Sequence, residues 1–263
     1  MNIALTGSGG FLGRNILNEL KRNKLITNIY KLSNDLDIKF FLDDLNLKNF
    51  DYVVNCAASL NPKSDFEKKL NVLLPKKIQK TLKNNKKKTK LIQISSMNVI
   101  NDNLRDNYTN SKRKAEKILN MENLIIIRPN LIISNDTETA QKNFNRYIEK
   151  RLPFYPMIYP GNIYRPVDIN KISKYIVFLI TNKTSIKQTY NIHGKFELTS
   201  WDLFNKICQK YNKYPIKINI TFLNYILPKM IKKIFYKHRF LQQFLKIERF
   251  CIDDKSNDKN IVL

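Results

Sequence analysis

Three side chains in the middle of the chain have types and spacings suited to proton chemistry. Tyr108 and Lys112 stand four positions apart in Tyr108-Thr109-Asn110-Ser111-Lys112-Arg113-Lys114-Ala115-Glu116-Lys117-Ile118-Leu119, a helical pattern without a breaker. Both side chains therefore project from one helix face. A tyrosine near its ordinary pKa of about 10 is a poor general acid or base at neutral pH. A neighbouring ammonium favours the phenolate and is expected to bring that pKa towards the working range. Ser96 ends the preceding apolar run, Leu91-Ile92-Gln93-Ile94-Ser95-Ser96, and its hydroxyl can hydrogen-bond a substrate carbonyl or alcohol. Tyr-x-x-x-Lys alone says little in a lysine-rich chain with 13 tyrosines. A second copy, Tyr225-Ile226-Leu227-Pro228-Lys229, contains Pro228, which disfavours a continuous helix, and follows no hydroxyl-tipped strand.

These residues need a partner site, and the first thirteen residues supply one. The chain has only 6 glycines, four of them in Met1-Asn2-Ile3-Ala4-Leu5-Thr6-Gly7-Ser8-Gly9-Gly10-Phe11-Leu12-Gly13. Gly7, Gly10 and Gly13 follow a short apolar run and precede a helical stripe. That is the form of a strand, a tight turn and a helix whose first amides face a diphosphate. A hydride-transfer set beside a diphosphate loop points to a nicotinamide dinucleotide as cofactor.

The intervening elements alternate. Phe11, Leu12, Ile16, Leu17 and Leu20 form the first helical stripe, and Ile26 to Leu32 reads as the second strand. That strand ends Lys31-Leu32-Ser33-Asn34 with no acid to hold a ribose 2′-OH, which favours NADP over NAD, although Asp35 and Asp37 follow closely. Tyr52-Val53-Val54-Asn55-Cys56-Ala57-Ala58 reads as a buried strand ending in small residues that let a dinucleotide pass close to the sheet. A helix is expected from Pro62 to about Asn84, with Phe66, Leu70, Leu73, Leu74, Ile78 and Leu82 inward and a kink or new turn at Pro75. Leu124-Ile125-Ile126-Ile127-Arg128-Pro129 is a strand stopped by proline. Strands alternating with helices give an α/β class, a Rossmann-type doubly wound parallel sheet. Residues 134–168 read as irregular with short strands, Ile169 to Thr181 as a helix, Thr189 to Ile192 as a strand, and Thr199 as the cap of another helix.

At 263 residues the chain holds one nucleotide-binding domain and a small appended region. The expected division is 1–130 as the Rossmann domain, with 165–192 returning to it. Residues 131–164 and 193–263 form the substrate-binding region. Cys56, Cys208 and Cys251 fit no metal spacing and suggest a reducing compartment. The first strand begins at residue 2, leaving no room for a signal peptide, and no apolar run reaches the ~18–20 residues of a membrane span. A cytoplasmic protein without a metal is expected. The net charge of +25 is spread over dispersed lysines, and no nucleic-acid motif accompanies it. Residues 222–250 alternate apolar and basic clusters; a helix covering the substrate site is expected there, with an anionic membrane surface as the other reading.

Taken together, the residues resemble the extended branch of the short-chain dehydrogenase/reductase superfamily, with its nucleotide-sugar epimerases, dehydratases and reductases. Thr6 to Gly13 looks like the cofactor loop of that family, Asn55-Cys56-Ala57-Ala58 like the strand passing the cofactor, and Asn71-Val72 like the Asn-Val of the following helix. Ser96, Tyr108 and Lys112 match its catalytic triad, Arg128-Pro129 the pair before the substrate domain, and Tyr190-Asn191-Ile192 with Leu198-Thr199-Ser200 a late strand–helix unit. The resemblance spans about residues 1–210. It implies cofactor contacts from Gly7, Gly9, Gly10, Phe11, Leu12, Gly13, Ser33, Ala57, Ala58, Asn71 and Pro129. Leu36-Asp37-Ile38 resembles a segment of the dTDP-4-dehydrorhamnose reductase group, which adds Asp37 near the adenine. Ser96 and Arg165 are the implied substrate contacts, Arg165 for a diphosphate, and a homodimer is the implied assembly.

Departures from the family also matter. Where sugar-nucleotide dehydratases carry an Asp-Glu pair after the catalytic hydroxyl, this chain has Met97 and Asn98, which cannot exchange protons. The expectation is an NAD(P)-dependent oxidoreductase or epimerase of a nucleotide-linked sugar, not a dehydratase. The alternative is a nucleotide-binding scaffold or sensor on the same fold.

Overall fold

The computed structural model describes residues 1–32, 49–60, 65–84, 88–102, 106–134, 138–139, 154–159, 163–182, 188–219 and 259–263. Ser33, Asp37, Cys251 and the 222–250 stretch lie outside them. The strands are β1 (Asn2–Thr6), β2 (Asn28–Leu32), β3 (Tyr52–Asn55), β4 (Lys90–Ile94), β5 (Leu124–Pro129), β6 (Ile132–Ser134), β7 (Glu138–Thr139), β8 (Phe154–Tyr159), β9 (Ile163–Tyr164), β10 (Val167–Asp168), β11 (Gln188–His193), β12 (Leu198–Thr199), β13 (Tyr214–Asn219) and β14 (Lys259–Val262). The helices are α1 (Phe11–Arg22), α2 (Asp65–Asn84), α3 (Asn107–Ile118), α4 (Ile169–Thr181) and α5 (Ser200–Lys210), with a 3₁₀ turn over Met97–Ile100.

One sheet organises the molecule, in the order β14-β11-β5-β4-β3-β1-β2. Every neighbouring pair in it is parallel. A parallel sheet needs cover on both faces, and its strands are correspondingly apolar along their length. Side chains alternate across the sheet. Ile3, Leu5, Val54, Ile92, Ile125 and Ile127 face one side, where they bury Ile16 and Leu20 of α1 and Ile172, Ile176 and Ile180 of α4. Ala4, Val53, Leu91, Leu124 and Ile126 face the other, against Leu74, Ile78 and Leu82 of α2. Burying each such side chain contributes about 1.5–3 kcal/mol.

One expectation about α2 is corrected, the inward placement of Leu73. The helix is one element of 20 residues with Pro75 inside it, so no new helix starts there. Leu73 is 39% exposed and points outward, because the buried row is Leu74, Ile78 and Leu82 at intervals of four. Two strands went unanticipated. β13 pairs in parallel with β8. β14, from the expected substrate-binding region, instead joins the central sheet beside β11, with Asn191 opposite Asn260.

Beyond the tips of β5 and β11 the chain builds a second, small core of Trp201, Leu203, Phe204, Ile207 and Cys208, with Leu131 packed against it. α5 starts on a full capping box: the Thr199 hydroxyl accepts from Asp202 N, and the Asp202 carboxylate accepts from Thr199 N. Hydrogen bonds from the Thr199 side chain and backbone hold the Asp202 carboxyl below its ordinary pKa.

Candidate active site

The glycine loop joins β1 to α1, and its geometry shows why glycine is needed. Gly7 has φ of 66°, and a Cβ there would sit 2.7 Å from Ala57 N. A Cβ on Gly13 would meet Gly7 O at 2.0 Å. The turn is closed by Gly10 N donating to Gly7 O at 2.9 Å. Gly9 and Gly10 are exposed, and Phe11 and Leu12 open the first turn half-buried. Gly10 caps α1 without a side-chain hydrogen bond, and no acid stands in the first turn. The first amides of a 12-residue helix thus face outwards from a cradle that only glycine can form. Their partial positive charge suits a diphosphate, so the residues present fit a dinucleotide.

A chain of buried amides underpins that loop. Thr6 Oγ1 donates to Asn55 Oδ1 at 2.5 Å, and Asn55 Nδ2 donates to Gln93 Oε1 at 2.8 Å. Ala57 N donates back to Thr6 Oγ1 at 3.2 Å. The tips of β1, β3 and β4 are thereby locked in register, and Ala57 and Ala58 emerge half-buried next to the loop. Such a satisfied buried network rigidifies what it spans.

Asn71 lies on α2 and is 2% exposed. Its Oδ1 accepts from Ser59 N at 2.7 Å, while Nδ2 donates to Ser59 O at 2.9 Å and to Ser111 Oγ at 2.9 Å. Ser111 Oγ donates in turn to Tyr108 O. Asn71 is thus buried among hydrogen bonds that tie the Ala58–Ser59 segment to α3.

Ser96 caps the 3₁₀ turn, its Oγ accepting from Asn98 N at 3.2 Å. α3 begins at Asp106, whose Oδ1 accepts from Tyr108 N and Thr109 N at 3.0 and 3.1 Å. One turn later Lys112 is buried, 3% exposed, with Nζ donating to Ile94 O at 2.8 Å and lying 5.8 Å from the centre of the Tyr108 ring. The structure therefore brings Ser96, Tyr108 and Lys112 together at the tip of β4.

The expectation that Lys112 lowers the Tyr108 pKa is not met. Burial pushes the phenol up to about 12, the Asp106 carboxylate adds to the rise, and only a hydrogen bond with Ser96 opposes it. Burial lowers Lys112 to about 8, against the charges of Cys56 and Glu116 that raise it. The Cys56 thiol is pushed up to about 12 by burial, with Lys112 lowering it. The signs make a testable pattern in stability. Lys112 penalises the folded state while charged, so stability rises as pH climbs from about 8 to its ordinary 10.5. Tyr108 keeps its proton in the folded state, so stability falls again from 10.0 to about 12. The Cys56 thiol, held protonated up to about 12, opposes the rise above its ordinary 9.0, so chemical denaturation should show the rise between about pH 8 and 9 in the wild type and not in Lys112→Met.

Sequence reasoning missed a cluster behind the triad. Ser95 Oγ donates to Glu116 Oε1. Arg128 Nη2 donates to Glu116 Oε2 at 2.7 Å and Nε to Oε1 at 3.0 Å. The spacing Tyr108, Lys112, Glu116, three positions on one helix face, was the available signal.

Arg165 lies before β10 and pairs with Glu197, Nη2 to Oε1 at 2.6 Å, both side chains about half exposed. Gly194 N donates to Arg165 O at 3.0 Å. A Cβ on Gly194 would meet Pro166 O at 1.9 Å, so glycine there lets the end of β11 approach the Arg165–Pro166 segment. Pro129 ends β5 buried, with Asn130 N donating to Ile192 O at 2.8 Å. Arg165 is not shown touching the triad. Among the described residues no group of three His, Cys, Asp or Glu side chains could hold a metal ion, and no helix is long and apolar enough to cross a membrane.

No protein-family model matches the chain, and no curated protein matches its sequence significantly. Solved structures do match. A dTDP-4-dehydrorhamnose reductase from Clostridium acetobutylicum shares 20% identity at a TM-score of 0.67, over 83% of this chain and 84% of that one. A dTDP-4-dehydrorhamnose reductase from Bacillus anthracis, in complex with NADP, shares 18% at 0.64, over 83% of each chain. A UDP-glucuronic acid 4-epimerase from Bacillus cereus, in complex with UDP-glucuronic acid and NAD, shares 16% at 0.65, over 83% and 86%. Likeness at these identities is a likeness of architecture, and the chain has the fold of the extended short-chain dehydrogenase/reductase enzymes.

Proposed function

We propose that the chain is an NAD(P)-dependent enzyme acting on a nucleotide-linked sugar by hydride transfer, in keto-reduction or epimerisation and not in loss of water. The observation that carries this reading is the meeting of Ser96, Tyr108 and a buried Lys112 beside the glycine cradle: Lys112 interacts electrostatically with Cys56, whose neighbour Ala57 packs on Gly7. Similar structures are named as dTDP-4-dehydrorhamnose reductases and as an epimerase bound to UDP-glucuronic acid.

In this proposal Gly7, Gly9, Gly10, Phe11, Leu12 and Gly13 hold the diphosphate of the dinucleotide. Ala57, Ala58 and Pro129 border it, with Asn71 fixing the segment beside it, and Ser33 and Asp37 serve its adenosine end. The missing acid after Leu32 keeps NADP the favoured form. A bound nicotinamide would supply the hydride. Ser96 holds the substrate oxygen by hydrogen bonding. Tyr108 passes its phenolic proton to that oxygen, and Lys112, fixed by its bond to Ile94 O beside the Tyr108 ring, would hold the nicotinamide ribose. Burial and the Asp106 carboxylate hold the phenol protonated, the form that carries the proton taken up in reduction. Met97 and Asn98 are buried where a dehydratase needs its acid pair, and neither can exchange a proton. Arg165 would take the nucleotide's diphosphate on leaving Glu197. An exposed ion pair of this kind is worth about 0–1 kcal/mol, so little opposes the exchange. Residues 1–130 with 165–192 form the dinucleotide part in this reading, and 131–164 and 193–258 the substrate part.

Mass spectrometry of nucleotides that copurify, followed by NADPH and NADH oxidation with a panel of nucleotide-linked keto-sugars, tests the proposal. Consumption with at least one keto-sugar is the expected result. Retention of dinucleotide without consumption across the panel would leave a nucleotide-sensing scaffold; no dinucleotide binding at all would overturn the reading.

A further inference from the structure

We propose that Glu116 is a positioning residue that sets the Ser96 hydroxyl against Tyr108 and Lys112, an inference resting on the catalytic reading above. Tyr108, Lys112 and Glu116 recur every four residues on α3, so one helix face carries all three. The carboxylate is the point at which three elements meet. It accepts from Ser95, the residue before Ser96 at the tip of β4. It also accepts from Arg128, the residue before Pro129 at the tip of β5, at 2.7 to 3.2 Å through Nη2 and Nε. The two strand tips are themselves joined by Ser95 N donating to Ile127 O at 2.7 Å. Moving Glu116 therefore shifts α3 relative to the strand that carries Ser96.

The cluster is enclosed: the side chains of Arg128 and Glu116 are 16% and 12% exposed, and Ser95 is 3% exposed. A charge pair this dry is weak evidence for stability, since an apolar pair of similar volume often serves as well. What an apolar pair could not supply is charge directed at the helix's other functional group. Around Lys112 stand Cys56 from the end of β3, Ile94 O from β4, and Tyr108 and Glu116 from its own helix. Cys56 keeps its proton at physiological pH, so Glu116 is the fixed negative charge of that set, and it favours the ammonium.

The test uses the full chain with Glu116→Gln, which keeps the side-chain shape and removes the charge. One readout does not depend on turnover. The carbon-13 Cε resonance of Lys112, assigned by its loss in Lys112→Arg, should titrate at lower pH in Glu116→Gln than in the wild type. In turnover, a loss of about 100-fold in kcat is expected with KM for the dinucleotide within about twofold, as for a displaced catalytic group. Glu116→Met combined with Arg128→Met separates positioning from packing: thermal stability should recover and kcat should not. A folded Glu116→Gln with an unmoved Lys112 midpoint and kcat within about threefold of wild type overturns the proposal. If Glu116→Gln fails to fold, Ser95→Ala removes one hydrogen bond only, and an unchanged kcat there overturns it equally. If the wild type turns over no substrate, the catalytic reading fails, while the Lys112 titration still decides whether Glu116 acts on that face.

Discussion

Replacing Tyr108 by phenylalanine is expected to lower kcat by about 1000-fold while leaving the dissociation constant for the dinucleotide within about twofold. The change removes one oxygen from a ring already in place. The ring stays beside Lys112 Nζ, 5.8 Å from its centre, α3 keeps its Asp106 cap, and the glycine loop is untouched. Only the proton donor and its hydrogen bond with Ser96 are lost. Single-turnover rates under saturating dinucleotide and equilibrium binding by nicotinamide fluorescence give the two halves of the result. A Tyr108→Phe enzyme with more than about a tenth of wild-type kcat would remove Tyr108 from the chemistry.

The second large effect is expected at Gly13. Alanine there places a Cβ 2.0 Å from Gly7 O, 2.8 Å from Gly7 C and 3.2 Å from Ser8 Cα, all backbone atoms that cannot swing aside. Either α1 moves away from the loop or the loop opens, and both spoil the row of amides. Overpacking of this kind costs about 1–3 kcal/mol, so the melting temperature should fall by roughly 5–10 °C. Dinucleotide affinity should drop by more than about 100-fold, because the diphosphate contacts depend on close backbone approach. Gly10→Ala is the internal comparison. Its Cβ would meet only Gly7 O, at 3.2 Å, and its melting temperature should fall much less. Differential scanning fluorimetry with and without dinucleotide separates the two variants.

Much of this was legible in the residues because the relevant signals are local. β1, β4 and β5 are apolar runs, buried on both faces under the flanking helices, and the glycine loop lies directly between a strand and a helix. Tyr108 and Lys112 share a face through helix periodicity alone. What escaped was set by long-range pairing. Asn71 is marked by resemblance as a cofactor contact, but its tie to Ser111 depends on α3, 40 positions away, and no local pattern announces it. The Lys112 effect on Tyr108 was misjudged because spacing says nothing of burial, and burial decides the direction here. Leu73 was placed inward by an apolar run too long for one helix stripe. β14 is four residues, Lys259-Asn260-Ile261-Val262, following a polar stretch, and nothing in them predicts a strand without the edge of β11 to pair with.

That last pairing bears on how the chain is made. Asn191 and Asn260 lie 69 positions apart, joined across β11 and β14 by a side-chain hydrogen bond at 3.2 Å. Strands β1 to β5 and β11 emerge from the ribosome in sequence, but the seventh strand arrives only after the whole of α5 and β13 and the stretch beyond them has been synthesised. Until then the outer edge of β11 presents a row of unpaired amides and carbonyls, the kind of edge that recruits strands from other chains. A product that stops before Lys259 keeps that edge for good. Those four residues move the sheet's edge from the six-residue β11 to a short strand that opens on Lys259, the kind of edge that pairs poorly with other chains.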